Sequence, residues 1–204
     1  AIGTRLSSHI VRKFGMTGLR EDHISVRLRG TAGQSLGAFA TQGLRLEVIG
    51  DANDYVGKGL SGGTIIVRPS AAASFVAHEN TIIGNTVLYG ATSGRLFAAG
   101  QAGERLCVRN SGATAVVEGA GTNACEYMTG GKVVILGEVG DNFGAGMTGG
   151  MAYVYDPDGT FVSRANPASL EIVRIETAHW EADLKALVEA HPVATESALA
   201  AQLL

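Results

Sequence analysis

Residues 111–137 read SGATAVVEGAGTNACEYMTGGKVVILG and contain two copies of a short unit, a Ser-Gly or Thr-Gly step followed by β-branched residues. The step recurs along the chain, most weakly in its first copy, and its first residues are Thr41, Ser61, Ser93, Ser111, Thr129 and Thr148. Successive copies lie 20, 32, 18, 18 and 19 residues apart, and the long interval holds an insertion from Pro69 to Asn80. A nearly fixed short period is typical of a solenoid, whose coils must stack to bury their apolar faces.

Aligning the chain on this step gives two columns without charged residues. Five residues before each step stand Leu36, Val56, Leu88, Leu106, Ala124 and Phe143, and five after it stand Leu46, Ile66, Ala98, Val116, Val134 and Tyr153. Such columns are typical of inward-pointing positions on stacked parallel strands, so we expect both to form the core.

Two further columns predict turns and an outer face. Eight residues before each step stand Gly33, Asn53, Asn85, Gly103, Gly121 and Gly140, which predicts a left-handed corner in every coil. Six residues after it stand Glu47, Val67, Ala99, Val117, Ile135 and Val154, which we expect to point outward. The apolar character of this outer column indicates that another domain covers it.

The short segments after each step are too short for helices and favour strands. The predicted fold is all-β, a right-handed parallel β-helix that forms a single-stranded solenoid of about six or seven coils, with short α-helices at both ends. Domain boundaries are expected at residues 1–20 for an N-terminal linker helix, 21–160 for the β-helix and 161–204 for a helical tail.

The flanking helices follow from four-residue spacing. Leu6, Ile10 and Phe14 share one face of a helix over 4–14 that Gly15 can end. Trp180, Leu184, Leu187 and Val188 form a second stripe, and a short helix is expected from Glu196 on, after Pro192. These helices would cap the solenoid or lead to neighbouring domains, and the chain resembles a piece of something longer.

Composition excludes several classes of protein. The 204 residues are 46% hydrophobic and 17% charged, which is unlike a disordered chain despite 29 glycines. A net charge of −3 gives no electrostatic case for nucleic acid or an anionic membrane. The absence of a signal peptide or long apolar run makes the cytoplasm the expected location.

Several stretches match the sequence patterns of catalytic motifs but lack the structural context that those motifs require. Residues 59–63 fit the G-x-S-x-G pattern of a hydrolase, but Ser61 belongs to the repeat column and a strand, not a helix, follows it. Residues 57–62 and 144–149 fit G-x-G-x-x-G, yet both also precede strand-like sequence and so lack the helix N-terminus that binds a pyrophosphate. Lys132 after Gly131 lacks the following hydroxyl of a phosphate-binding loop.

Other candidate ligands are also explained by the repeat. Cys107 and Cys125 occupy one column on consecutive coils, within disulfide reach, and we expect reduced, buried thiols. The clusters Asp51, Asn53 and Asp54 and Asp141 and Asn142 are typical of turns at coil corners more than of a calcium site. The five histidines, at 9, 23, 78, 179 and 191, are scattered. No catalytic, cofactor-binding or metal residue is therefore predicted.

Several stretches resemble one family. The run at 50–63, GDANDYVGKGLSGG, is similar to the C-terminal, Gly-rich GXGXG β-helix domain of glutamate synthase large (α) subunits. Supporting stretches lie at 3–7, 29–39, 85–90, 108–113 and 126–131. The resemblance covers essentially the whole chain.

The resemblance implies an enzyme that hydrolyses glutamine, channels the ammonia and adds it to 2-oxoglutarate at an FMN and [3Fe-4S] centre, forming glutamate. Electrons come from NADPH through a small partner subunit, or from ferredoxin. In that family the catalytic residues and cofactors lie in other domains, and the β-helix is a scaffold between them. The resemblance therefore implies a noncatalytic domain, inactive when isolated, whose partners are the other domains of the large subunit.

Two alternatives remain open at this stage. A stand-alone β-helix scaffold subunit, similar to that of formylmethanofuran dehydrogenase or of glutamate-synthase-like assemblies, would have the same coils. A small-molecule enzyme built directly on the β-helix would need a cluster of acid and base groups, which the sequence does not show.

Overall fold

The computed structural model describes residues 1–204, the whole chain, as a parallel β-solenoid. Its strands are β1 Ile24–Thr31, β2 Leu44–Asp51, β3 Ser61–Arg68, β4 Thr81–Ile83, β5 Ser93–Ala98, β6 Gln101–Ala102, β7 Ser111–Val117, β8 Thr129–Ile135 and β9 Gly149–Val154. Its helices are α1 Thr4–Phe14, α2 Phe161–Arg164, α3 Ala178–Thr195 and α4 Ala198–Leu203, with single 3-10 turns at Gly15–Thr17 and Ala77–Glu79. The solenoid architecture predicted from the repeat is confirmed.

Seven strands, one per coil, form the main sheet in the order β1-β2-β3-β5-β7-β8-β9, and neighbouring strands are parallel. A narrower ladder runs along a second side through β4, β6 and single bridges at Ala52, Ala120 and Val139. The predicted insertion 69–80 leaves the stack between β3 and β4, so it lengthens one coil.

The third side of each coil is a turn that we call the arc. In six coils the arc has left-handed backbone at three alternate residues, with φ between 53° and 69°. The triplets are Ser35/Gly37/Phe39, Tyr55/Gly57/Gly59, Thr86/Leu88/Gly90, Arg105/Cys107/Arg109, Asn123/Cys125/Tyr127 and Asn142/Gly144/Gly146. Twelve of these eighteen residues are not glycine, and each such residue costs about 1–2 kcal/mol relative to right-handed backbone.

Hydrogen bonds between coils hold the arcs in this conformation. The first and third left-handed residues donate to the following coil, as in Asn123 N to Asp141 O at 2.9 Å and Tyr127 N to Ala145 O at 2.9 Å. The middle residue donates to the preceding coil, as in Cys125 N to Leu106 O at 2.7 Å. Each arc is therefore hydrogen-bonded in both directions along the stack, which a single isolated coil cannot achieve.

The left-handed corners are not in the predicted column. Of the six residues eight positions before the step, only Gly33 has positive φ, so the prediction for the others is wrong. Gly121 and Gly140 are required for space instead, because a Cβ on Gly121 would lie 2.8 Å from the Glu104 nitrogen and one on Gly140 would lie 2.4 Å from the Thr122 nitrogen. The coils approach each other too closely there for any side chain.

The column five residues before the step is confirmed as core, since all six of its residues are at most 1% exposed. In the third coil the arc is displaced by one residue. Leu88 N donates to Val56 O and Cys107 N donates to Val87 O, so Val87 takes the inward position and Leu88 aligns with Cys107.

In most coils, the residues five and six positions after the step lie on the opposite faces of the strand from those predicted. Leu46 and Ala98 do point into the solenoid, but four other members of the predicted inner column lie on the outer face of the main sheet, namely Ile66, Val116, Val134 and Tyr153. The residues that point inward there belong partly to the predicted outer column, namely Val67, Val117, Ile135 and Val154. Glu47 does point outward, as predicted.

The error has a clear physical cause. The register shifts between Ser61 and Thr64, between Ser111 and Thr114, and between Thr129 and Lys132, so the number of residues from step to strand varies. A displacement of one residue moves a side chain to the opposite face of a strand. Because both faces of this sheet are buried, both columns are apolar and the sequence pattern could not distinguish them.

The chain itself covers the outer face and both ends. Helices α3 and α4 lie on the main sheet, with Val188 and Ala200 packed against Phe97 and Val134. The predicted covering domain is thus replaced, on this face, by the chain's own tail. Helix α3 continues through Pro192 to Thr195, and α4 is the short helix that the sequence predicted after Pro192.

Helix α1 closes the N-terminal end of the stack, as predicted. Ile10 is 1% exposed, while Phe14 at the end of the predicted stripe is 42% exposed. Thr4 Oγ1 donates to Ala38 O at 2.8 Å, and Ile2 O accepts from Gly37 N at 2.9 Å. This segment therefore supplies the hydrogen bonds that a preceding coil would otherwise provide.

The segment from α2 onward closes the C-terminal end. Phe161 packs edge-on against Phe143, with ring centroids 5.1 Å apart. Phe143 N donates to Arg164 O at 3.0 Å, and Asn166 N donates to Phe143 O at 2.8 Å. The last arc thus has backbone partners beyond it.

The corrected register predicts different consequences for neighbouring substitutions in β7. Ala115→Asp places a carboxylate inside the solenoid and Val116→Asp places one beneath α3; both sites are fully buried, so each should cost several kcal/mol of about 5–15 kcal/mol total stability. We expect Val116→Asp to release α3 and α4 to protease while the coils persist, and Ala115→Asp to disrupt the coils. Thermal melts with limited proteolysis measure both, with the half-exposed Thr114→Asp as control. If Ala115→Asp released α3 and Val116→Asp did not, the assignment of inward and outward residues in β7 would be wrong.

The left-handed backbone of the arc predicts that a substitution to glycine there increases stability. Thr86 is β-branched with φ of 60°, and Thr86→Gly removes a strain of about 1–2 kcal/mol against about 0.5–1 kcal/mol of added chain entropy. We expect a small rise in melting temperature. Thr114→Gly, in the extended strand β7, is the matched control and should lower it. A loss of stability in both variants would mean that the arc is not strained.

Candidate functional site

The outer surface of the arcs is one of the two sides of the solenoid that the helices leave uncovered. A shallow depression of about 410 Å3 lies on it and is lined by Arg109, Tyr127, Thr129, Gly146 and Thr148. The residues come from three consecutive coils, so the depression exists only because the coils stack in register. Its lining consists of a guanidinium, a phenol and two hydroxyls, and it has no carboxylate, imidazole or thiol.

Exposed aromatic rings continue this surface along the stack. Phe39, Tyr55, Tyr89 and Tyr127 are 55%, 41%, 37% and 54% exposed. Together with Arg109 they form what we call the arc surface. The Arg109 guanidinium lies 5.7 Å from the centroid of the Tyr127 ring, and Lys58 Nζ lies 5.7 Å from that of Tyr55. Aromatic and arginine side chains in this arrangement are typical of protein contact surfaces.

A buried polar cluster fastens the tail to the main sheet. Glu118 Oε1, just beyond β7, contacts His191 Nε2 at 3.3 Å and accepts a short hydrogen bond from Ser197 Oγ. Ser197 also caps α4, since its Oγ accepts from Ala200 N at 3.0 Å. All three polar side chains are at most 5% exposed.

This cluster contains serine, histidine and a carboxylate but is not arranged as a catalytic triad. Both Ser197 and His191 bind the carboxylate of Glu118, and His191 Nδ1 has no hydrogen-bond partner. A nucleophilic serine requires the imidazole as its own base and an approach for substrate. The burial of the cluster under the helices makes it a docking contact between tail and sheet.

A second polar cluster lies along the same interface. Asp183 on α3 accepts from the Tyr153 hydroxyl at 2.8 Å and forms an ion pair with Lys132. The hydrogen bond from Lys132 is the main cause that lowers the pKa of the Asp183 carboxyl, and the hydrogen bond from Tyr153 acts in the same direction. Burial, followed by the hydrogen bond to Asp183 and its charge, raises the pKa of Tyr153.

Sequence reasoning missed both clusters. The only signal for the first was Glu118, an acidic residue directly after the apolar run 115–117, and its partner at 191 was placed among the scattered histidines. No local pattern connects residues 73 positions apart, as Glu118 and His191 are. Only the folding of the tail onto the sheet brings them together.

The candidate site residues from the sequence lie at repeated positions of the coils and are not brought together in one site. Ser61 begins β3, pairs with Ser93 and has no imidazole beside it. Asp54 Oδ1 accepts from Asn85 N at 2.8 Å and Asn142 Nδ2 donates to Asn123 Oδ1 at 2.9 Å, so both clusters of acidic and amide residues bond adjacent coils.

Cys107 and Cys125 are free, fully buried and on consecutive coils. Burial raises the pKa of both thiols, that of Cys125 to about 12, and the neighbouring Cys125 further raises that of Cys107. Such thiols are poor nucleophiles near neutral pH because the reactive thiolate is scarcely populated.

The residues of this chain do not fit the cofactors that the resemblance implies for the parent enzyme. An iron-sulfur cluster is held by several cysteine thiolates, and this chain has two cysteines, both enclosed in the core. No group of three or more His, Cys, Asp or Glu side chains is placed to hold a metal ion. Both G-x-G-x-x-G stretches run from an arc into a strand, so neither offers the helix N-terminus that a flavin phosphate prefers.

Comparison with known proteins assigns the family. The GXGXG motif family model matches residues 1–204. The chain belongs to the GXGXG motif family. The G-x-G elements of this GXGXG chain, Gly57-Lys58-Gly59 and Gly144-Ala145-Gly146, supply the second and third left-handed residues of their arcs.

Three relatives of this GXGXG chain illustrate where such a segment occurs. It is 68% identical over 204 residues to the glutamate synthase (NADPH) large chain of Azospirillum brasilense, covering 100% of this chain and 14% of the relative. It is 53% identical to ferredoxin-dependent glutamate synthase 2 of Synechocystis sp., covering 93% and 12%. It is 51% identical to glutamate synthase (NADH) of Schizosaccharomyces pombe, covering 100% and 10%. The predicted resemblance to glutamate synthase large subunits is confirmed, and the chain spans only a small part of these relatives.

None of the helices is long and apolar enough to cross a membrane.

The attachment of the tail helices α3 and α4 to the main sheet is predicted to depend on pH through Asp183. Its folded pKa lies below the ordinary 3.8, so its stabilising effect is complete above that value and is lost as the pH falls through the lower folded pKa. We expect the melting temperature to fall in acid below about pH 4. Asp183→Asn should lower it at pH 7 and flatten this decline. Glu189→Gln, on the same helix in an exposed pair with Lys185 at 3.9 Å, is the control and should change little. An unchanged acid profile in Asp183→Asn would exclude this role.

Proposed function

We propose that this chain is a noncatalytic structural domain of a glutamate synthase large subunit. In this role it scaffolds the amidotransferase domain and the FMN-dependent 2-oxoglutarate synthase domain, so that ammonia released in one reaches the other during glutamate biosynthesis. The observation that carries the proposal is that all 204 residues align, at 68% identity, with only 14% of a relative named as a glutamate synthase large chain.

The geometry of the described residues supports a structural role. Asp54 and Asn142, which the sequence motifs single out, form hydrogen bonds between coils, and the buried Glu118 fastens the tail. The open depression on the arcs contains no carboxylate, imidazole or thiol. General acid and base catalysis most often uses His, Glu or Asp side chains, and none lines this surface.

The same reasoning extends to the parent enzyme. FMN and a [3Fe-4S] cluster would be bound by the other domains of a cytoplasmic enzyme. Electrons would come from NADPH through a small subunit that oxidises it, or from ferredoxin. Within the chain we propose the divisions 1–20, 21–160 and 161–204 as linker, β-helix and tail. The three relatives carry the matching segment as 10–14% of a longer chain, which favours a domain over a stand-alone scaffold subunit.

A test uses the full-length parent protein. Ser61→Ala and Asp141→Asn, at two exposed positions suggested by motifs, should leave both glutamine hydrolysis and glutamate formation within about twofold of wild type, because surface changes seldom exceed about 0.5 kcal/mol. Val133→Asp, inside the coils, should reduce both activities in proportion to the folded protein recovered. A large fall in kcat for Ser61→Ala at unchanged melting temperature would assign chemistry to this chain and overturn the proposal.

A further inference from the structure

We propose that the arc surface, formed by Phe39, Tyr55, Tyr89, Arg109 and Tyr127, is the face by which the solenoid docks onto the rest of its own large polypeptide. The inference rests on the proposed function and deepens it, because it assigns the contact to one side of the solenoid. Three independent observations carry it.

The first observation is backbone strain that the fold does not need. The third left-handed position of the six arcs is occupied by Phe39, Gly59, Gly90, Arg109, Tyr127 and Gly146. Glycine, which adopts this conformation at no steric cost, is thus compatible with the stack at three of the six sites. Phe39 and Tyr127 hold φ of 58° and 53° with bulky side chains, which are rare in this region. Strained residues of this kind concentrate at functional surfaces.

The second observation is that these side chains gain little inside the domain. Phe39 and Tyr127 are each more than half exposed. Each ring lies on a glycine of the next coil: a Cβ on Gly59 would lie 2.6 Å from the Phe39 ring, and one on Gly146 would lie 2.6 Å from the Tyr127 ring. The glycines therefore leave room for the rings to lie flat on the coils, with one face turned to solvent.

The third observation concerns which sides are already covered. Helices α3 and α4 cover the main sheet, and α1 and α2 lie at the two ends. Two sides remain, the narrow ladder and the arcs. The narrow ladder presents small or polar outward groups such as Gln101, Gly119 and Glu138. Only the arc surface carries exposed rings on several coils, namely Phe39, Tyr55, Tyr89 and Tyr127.

The arcs carry charges of both signs. Lys58, Arg105 and Arg109 form no ion pair within the chain, and neither do Glu104 and Glu126. A complementary protein surface would present opposite charges to these side chains and apolar groups to the rings. The chain spans only 14% of the first relative, so a large amount of polypeptide in the same molecule is available to cover this face.

Hydroxyl-radical footprinting of the full-length large chain tests the proposal. Labelling rates are normalised to those of the unfolded protein. Phe39, Tyr55 and Tyr127 should be labelled about tenfold more slowly than their exposure in the domain alone requires. Met16, which is 90% exposed and lies at the N-terminal end, is the reference. Rapid labelling of the arc residues beside protection of another face would overturn the assignment and leave the scaffold function standing. Rapid labelling on every face would contradict the scaffold function itself.

Glycine variants make the test specific to the rings. The double variant Phe39→Gly and Tyr127→Gly relieves backbone strain, so the domain should remain folded, yet labelling of Tyr55 in the full-length chain should rise about tenfold. Thr86→Gly, with the same backbone change but no ring, should leave that labelling unchanged. No change in the double variant would overturn the proposal, as would protection that appears only at high protein concentration, which would indicate a second copy as the occupant.

Discussion

The stacked arc is the constraint on which the rest of this structure depends. Its N–H groups point alternately to the following and the preceding coil, as Asn123 and Cys125 show with bonds of 2.9 and 2.7 Å. A coil removed from the stack would lose the hydrogen-bond partners that hold its strained residues in the left-handed conformation. Stability is therefore shared between neighbours, and both ends need a substitute for the missing coil. Helix α1 and the segment around Arg164 provide those substitutes.

The same requirement explains the spacing of the glycines. Where coils nearly touch, as at Gly121 and Gly140, no Cβ fits. Where the backbone is left-handed, glycine is favourable but is replaced in twelve of eighteen places, because hydrogen bonds on both sides fix the conformation. Among these substitutions the exposed rings Phe39 and Tyr127 are notable, since they add strain without adding core. They relate the local geometry of the coil to the arc surface, which we propose as a docking face.

A sheet buried on both faces gives the domain a second layer. The main sheet encloses the solenoid core on one side and carries α3 and α4 on the other, and the contact is fixed by Glu118 and Asp183 as well as by apolar packing. Buried polar contacts of this type specify one docked position for the tail where apolar contacts alone would permit sliding. The tail and the coils are therefore held together by polar as well as apolar contacts.

The sequence by itself determined the solenoid, its coil count, helix α1, the inserted loop and the column Leu36 to Phe143, because each depends on a local period or a helical stripe. It could not determine which face of the strands points inward. A one-residue shift exchanges the faces, and Val133 and Val134 are equally apolar. Nor could it place the left-handed residues, since hydrogen bonds from adjacent coils impose that conformation on Arg105 or Tyr127. The docking of His191 against Glu118 was decided only by the tertiary structure, since partners 73 residues apart leave no periodic trace in the chain.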